Sequence, residues 1–142
     1  MRGGTLATPL IEGFGCAIET FPKYYESQSK AFETVLLDAL EHYGVRYTLN
    51  GIGAQRVAHI SSLTLHDVNS VVLLHETEAI FLLAQGSACS SKEVEPSHVL
   101  ESIGLGRDLA TKTFRLSFSH ETTEVDVKMF AERVAESIIK TK

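Results

Sequence analysis

Val45-Arg46-Tyr47-Thr48-Leu49-Asn50, then Gly51-Ile52-Gly53-Ala54, then residues 56–63: the reading of this stretch decides the fold. Two runs of β-forming residues flank a glycine-bearing turn, the pattern of a hairpin or near-hairpin. Strands joined this closely pair antiparallel, because parallel neighbours need a crossover of a dozen residues or more. Phe114-Arg115-Leu116-Ser117-Phe118-Ser119 supplies another strand. Its alternation sends Phe114, Leu116 and Phe118 to one face and Arg115, Ser117 and Ser119 to the other. The apolar run Ala79-Ile80-Phe81-Leu82-Leu83-Ala84 has the length of a buried strand.

Helical periods surround these runs. Residues 9–20 place Leu10, Ile11, Phe14, Ala17, Ile18 and Phe21 at helical spacing, and Phe21-Pro22 ends the pattern. Gly13 and Gly15 weaken that helix and let another backbone come close. Over residues 23–43, Phe32, Val35, Leu36, Ala39, Leu40 and Tyr43 form one stripe, and Gly44 stands where a helix-terminating residue belongs. Residues 67–76 predict a helix with Val68, Val71, Val72 and His75 on one side. Short helical segments are expected over 96–103 and 107–112. Thr123, with Asp126 three residues on, forms a capping-box-like start to a final helix striped by Val127, Phe130, Ala131, Val134 and Ile138. The sum is an α+β fold, a small, mainly antiparallel sheet covered on one face by helices.

The chain has 142 residues, enough for a single domain with a real core, and 44% are hydrophobic. A net charge of −5 offers no electrostatic footprint for nucleic acid or an anionic membrane. No apolar run reaches the roughly 18 residues of a membrane span, and no leader pattern opens the chain. The two cysteines, Cys16 and Cys89, lie far apart in unlike settings, so a reducing, cytoplasmic compartment is expected.

Cys89 sits in Gly86-Ser87-Ala88-Cys89-Ser90-Ser91-Lys92, between the apolar run and the helix entry Glu95-Pro96-Ser97. A buried structural cysteine is the ordinary reading of a lone thiol. Here small polar neighbours and Lys92 favour the thiolate, which is the nucleophilic form. Arg115 is the second candidate, because a guanidinium fork matches a carboxylate in bidentate geometry. A solvent-facing arginine paired with a surface glutamate explains its position equally well. The histidines His42, His59, His66, His75, His98 and His120 are scattered, without metal-ligand spacing. Arg2-Gly3-Gly4-Thr5 offers donors suited to a phosphate, although a flexible tail accounts for it more simply.

Taken together, these stretches resemble the C-terminal part of the NifS-type cysteine desulfurases, class V enzymes that use pyridoxal phosphate (PLP). Gly86-Ser87-Ala88-Cys89-Ser90-Ser91 is similar to the family's catalytic cysteine loop. Glu95-Pro96-Ser97-His98-Val99-Leu100 and Ile103-Gly104-Leu105 are similar to the helix that follows it. Phe114-Arg115-Leu116-Ser117 resembles the strand carrying the substrate-binding arginine, and Thr122-Thr123-Glu124 the start of the last helix. Arg2-Gly3-Gly4-Thr5, leading into Pro9 and Gly13-Phe14-Gly15, resembles the segment between the large and small domains.

The resemblance implies that residues 1–142 form one small domain, with residues 1–20 as the inter-domain segment. It implies that Cys89 takes sulfur as a persulfide for Fe-S cluster assembly or other transfer. Arg115 would grip the substrate carboxylate, and Thr5 would reach the PLP phosphate of a partner subunit in a homodimer. The cofactor's lysine belongs to a large domain upstream of the matched region. None of Lys23, Lys30, Lys92, Lys112, Lys128, Lys140 and Lys142 lies in such a motif, so PLP is not expected to bind covalently here. Gln85 also replaces the small residue usual before the cysteine loop. The expected partners are a PLP-bearing large domain or chain and a sulfur acceptor, with no nucleic acid or membrane. Activity alone is not expected. The alternatives are a stand-alone sulfur carrier or a non-catalytic remnant, and a selenocysteine lyase-like substrate fits the same motifs.

Overall fold

The hairpin forms, with shorter strands than the pattern suggests. In the computed structural model, which describes residues 6–78, 80–81, 83–85 and 97–140, β1 (Tyr47–Leu49) pairs antiparallel with β2 (Ile60–Leu65). The register sets Tyr47 opposite Leu65 and Leu49 opposite Leu63. Residues 56–58, expected in the second strand, are held elsewhere, while the His59 carbonyl still accepts the Phe118 N–H at 2.9 Å. The Arg56 guanidinium forks onto Glu33 at 2.8 and 3.0 Å, drawing the loop toward the neighbouring helix instead of the ladder. β4 (Thr113–Ser117) pairs with β2, and β3 (Ala84–Gln85) pairs with β4. The sheet order is β1-β2-β4-β3, every neighbour antiparallel.

Of the expected strand over 79–84, Ala84 enters β3, Ala79 and Leu82 lie outside the described residues, and Ile80 and Phe81 are corrected. The helix before it, α3 (Ser70–Thr77), prolongs its hydrogen bonding, with the N–H groups of Ile80 and Phe81 both donating to the Thr77 carbonyl. These residues therefore extend a helix end, and Ile80 is 48% exposed. Of the side expected to carry Val68, Val71, Val72 and His75, Val68 is buried ahead of the helix but Val71 is 76% exposed, and within α3 Leu73 and Thr77 are buried instead. The helix starts at the Asn69 cap, whose side-chain oxygen accepts the N–H groups of Val71 and Val72 at 3.1 and 3.3 Å. Its packing against the last helix selects the other face. Asn69→Ala is expected to cost about 1 kcal/mol, read as a lower midpoint in urea unfolding.

The long helices bury the centres of their stripes, although Tyr43, expected in the first, is 45% exposed. α2 (Tyr25–His42) buries Phe32, Leu36 and Leu40, and α6 (Glu124–Lys140) buries Val127, Phe130, Ala131 and Val134. They pack on one another and, with Leu63, Leu65, Phe114 and Phe118 from β2 and the β4 region, form the core. Gly44, with φ of 67°, ends α2 in the left-handed conformation while the Val45 N–H reaches back to the Leu40 carbonyl at 2.9 Å. Thr123 and Asp126 cap α6 reciprocally, backbone N–H to side chain in both directions, at 2.9 and 3.2 Å. The short α4 (His98–Ser102) and α5 (Arg107–Thr111) lead into β4.

α1 (Thr8–Thr20) forms where its period predicts, yet buries no residue. Leu10, Phe14 and Ile18 are 76%, 70% and 61% exposed. At helical spacing they share a stripe with Ile11 and Phe21, and Glu12 and Glu19 fall opposite. No described atom lies within 4 Å of a Cβ built on Gly13 or Gly15, so no other described backbone makes the close approach those glycines permit.

Candidate functional site

One face of the sheet carries the helices, and the other is polar. In β4 the alternation holds: Phe114 and Phe118 are buried, whereas Arg115, Ser117 and Ser119 are exposed. Arg115 lies opposite Ser62 of β2 on one side and Ala84 of β3 on the other. The Asn50 N–H donates to the Ser62 carbonyl at 2.8 Å, so Asn50 extends the row beyond Ser62. Asn50, Ser62, Arg115 and Ala84 thus form a line across the whole sheet.

A row of hydroxyls supports that line. Asn50 Nδ2 donates to Ser62 Oγ at 3.2 Å and to Thr64 Oγ1 at 3.1 Å. Thr64 and Thr113 share a 2.8 Å bond, and Thr113 Oγ1 donates to the Leu109 carbonyl at 2.8 Å. Asn50, Thr64 and Thr113 are buried, so the row is a fixed polar platform.

The two readings of Arg115 separate on this geometry. Arg46 pairs with Asp67, Arg56 with Glu33 and Arg133 with Glu136. Arg115 makes no ion pair or side-chain hydrogen bond with a described residue, so the surface-glutamate alternative is not realised among them. An exposed fork above buried hydroxyls is suited to an external carboxylate.

Cys89, Lys92 and Thr5 lie outside the described residues. Cys16 is an exposed free thiol on α1. The described histidines join no group of three metal-ligating side chains among the described residues. No described helix is long and apolar enough to cross a membrane. A cavity of about 460 Å³ opens between β4 and α6, lined by Phe81, Leu83, Leu116, Phe118 and Phe130, and does not include Arg115.

The described residues do not fit PLP. Lys30, Lys112, Lys128 and Lys140 are each paired with a surface carboxylate, at 2.7 to 3.4 Å. Lys23 is exposed on the turn before α2. The lysine, stacking ring and acidic partner that such a cofactor needs are not brought together among these residues.

Asn50 and Ser62 escaped the motif reading. Their signal was the period-two recurrence of Ser62, Thr64 and His66 inside an apolar strand, which marks one polar face.

No protein-family model matches the chain. The chain superimposes with a TM-score of 0.72 on a NifS-like protein, covering 99% of this chain and 36% of that one at 18% identity, which defines the class of its fold. Over its full length it is 32% identical, across 145 residues, to cysteine desulfurase IscS of Pseudomonas fluorescens, of which it covers 35%. It is also 34% identical to a structure titled SspA in complex with cysteine, with a TM-score of 0.59 over 82% of this chain and 31% of that one. The chain is homologous to the C-terminal part of the cysteine desulfurases. It spans about a third of the length of the curated relatives it matches.

Proposed function

We propose that this chain serves as the C-terminal domain of a cysteine desulfurase, with Cys89 receiving sulfur from L-cysteine and Arg115 holding the substrate carboxylate. The observation that carries this reading is Arg115, unpaired among the described residues and opposite Ala84 of β3. Cys89 follows Gln85, the last residue of β3, by four positions, a reach of at most about 14 Å. The homologous structure titled as a complex with cysteine supports the same substrate.

The reaction balances as a transfer of one sulfur atom. The Cys89 thiol and L-cysteine become a Cys89 persulfide and L-alanine. The substrate C–S bond breaks, its electron pair stays with carbon and takes a proton, and an S–S bond forms. PLP held on a large domain would supply the electron sink. This chain contributes the acceptor thiol and the carboxylate anchor.

The partner is therefore a PLP-bearing large domain, and the exposed stripe of α1 is the surface offered to it. Its glutamates face away, which suits an apolar protein contact better than an anionic membrane. Thr5 is assigned to the cofactor phosphate of a second subunit in a homodimer. Residues 1–142 act as one domain, in a cytoplasmic enzyme supplying sulfur for Fe-S cluster assembly.

The test is sulfur labelling. The chain is incubated with L-cysteine and purified Pseudomonas fluorescens IscS, and its peptides are weighed by mass spectrometry. The Cys89 peptide is expected to gain the mass of one sulfur, lost on reduction and absent in Cys89→Ser. The exposed Cys16 is the internal control and should stay unmodified. No added sulfur on Cys89, or equal labelling of Cys16, would overturn the reading.

A further inference from the structure

The hydroxyl platform has a direction, and that direction assigns a second donor to the carboxylate site. A carbonyl only accepts, so Thr113 must donate to Leu109. Its oxygen then accepts from the Thr64 hydroxyl across the 2.8 Å contact. The Thr64 oxygen in turn accepts from Asn50, which orients the Asn50 NH₂ toward β2. Ser62 Oγ faces that same NH₂ and accepts from it at 3.2 Å. The Ser62 hydroxyl hydrogen is left without an acceptor among the described residues.

Ser62 stands where that hydrogen is useful. The bonds from the Phe118 N–H to the His59 carbonyl and from the Leu65 N–H to the Lys112 carbonyl mark the hydrogen-bonded pairs of the β2–β4 ladder. Ser62 and Arg115 therefore form one of the alternate, non-hydrogen-bonded pairs. Such pairs bring Cβ atoms to about 4.5–5.5 Å on one face. A carboxylate seated on the Arg115 fork lies within reach of a donor from the next strand.

We propose that Ser62 is a carboxylate-binding residue beside Arg115, and that Asn50 is the positioning residue that turns its hydroxyl toward the anion. The proposal rests on the desulfurase reading for the identity of the substrate, an α-amino acid. A hydrogen bond of ordinary net strength corresponds to about a fivefold to tenfold change in affinity.

The experiment follows backbone amide shifts of the full chain during titration with L-alanine, the expected product, and with alaninamide, whose carboxylate is a neutral amide. L-alanine is expected to move residues 62 and 115, and alaninamide is not. Ser62→Ala should raise the L-alanine dissociation constant about fivefold to tenfold, with the melting temperature unchanged. Ser62→Thr, which keeps the hydroxyl, should restore binding. Asn50→Ala should weaken binding about twofold to threefold by releasing the Ser62 rotor. Arg115→Ala should abolish it. Unchanged affinity in Ser62→Ala, or an equal response to alaninamide, overturns the proposal. No response of the wild-type chain to L-alanine overturns it too. Sulfur labelling of Cys89 proceeds without these residues being altered, so it decides the function reading separately.

Discussion

Phe114→Ala is expected to lower the melting temperature by about 10–15 °C, the largest stability loss of any single substitution considered. Phe114 is fully buried and is the largest of the fully buried side chains. It lies opposite Leu63 on β2 and Gln85 on β3, so its ring is surrounded where three strands meet the helices. Removing it forfeits the transfer free energy of the ring and leaves a cavity that rigid strands close poorly. Together these cost about 3–5 kcal/mol. Phe114→Leu, which conserves most of the volume, should cost about 1.5 kcal/mol. Calorimetry of both variants tests this, and equal melting temperatures would show that the position tolerates a void. Phe114 also neighbours Arg115 in sequence, so its loss should weaken carboxylate binding indirectly.

The second large effect concerns Glu33. Its carboxylate takes both nitrogens of the Arg56 fork and the hydroxyl of Ser61, which is fully buried. Burial by itself raises the Glu33 carboxyl, but the hydrogen bonds from Arg56 and Ser61 and the positive charge of Arg56 outweigh it. The group is held below its ordinary value of 4.5. Glu33→Ala leaves a half-enclosed guanidinium and a buried hydroxyl without their acceptor, an expected loss of about 2–3 kcal/mol. The sign of the pH dependence follows from the lowered folded value. The stabilisation is complete above the unfolded carboxylate range and is lost as pH falls through the folded value. Stability curves of wild type and Glu33→Gln should therefore converge in acid and separate toward neutrality. A constant gap across that range would show that ionisation of Glu33 is not what holds the 51–57 loop.

The parts of the fold legible in the chain are those with local causes. Gly44 ends α2 because the left-handed conformation is open to glycine, and the Thr123–Asp126 box starts α6 because both partners lie within one turn. The alternation through Phe114 and Phe118 placed Arg115 on the polar face correctly. The misreadings have non-local causes. Apolar content at Ile80 and Phe81 suited a strand and a helix end equally, and the bonds of both N–H groups onto Thr77 settled it, while Ala84 joins β3. The phase of α3 was set by α6, and the segment entered by Arg56 was diverted from the ladder by Glu33. α1 shows a further limit: its periodicity is correct, but a pattern states that a face is apolar, not what covers it.

Residue order alone determined the antiparallel α+β architecture, the placement of Arg115 on a polar strand face and the likeness to desulfurases, since period, caps and ordered motifs act over a few residues each. Tertiary structure alone decided that Arg115 stands free of the described carboxylates and that Asn50, Ser62 and Ala84 share its row. Those neighbours come from three other segments, and only the pairing register joins them. Register is set by which side chains the whole core buries, and a slip of one residue would turn the row to the opposite face.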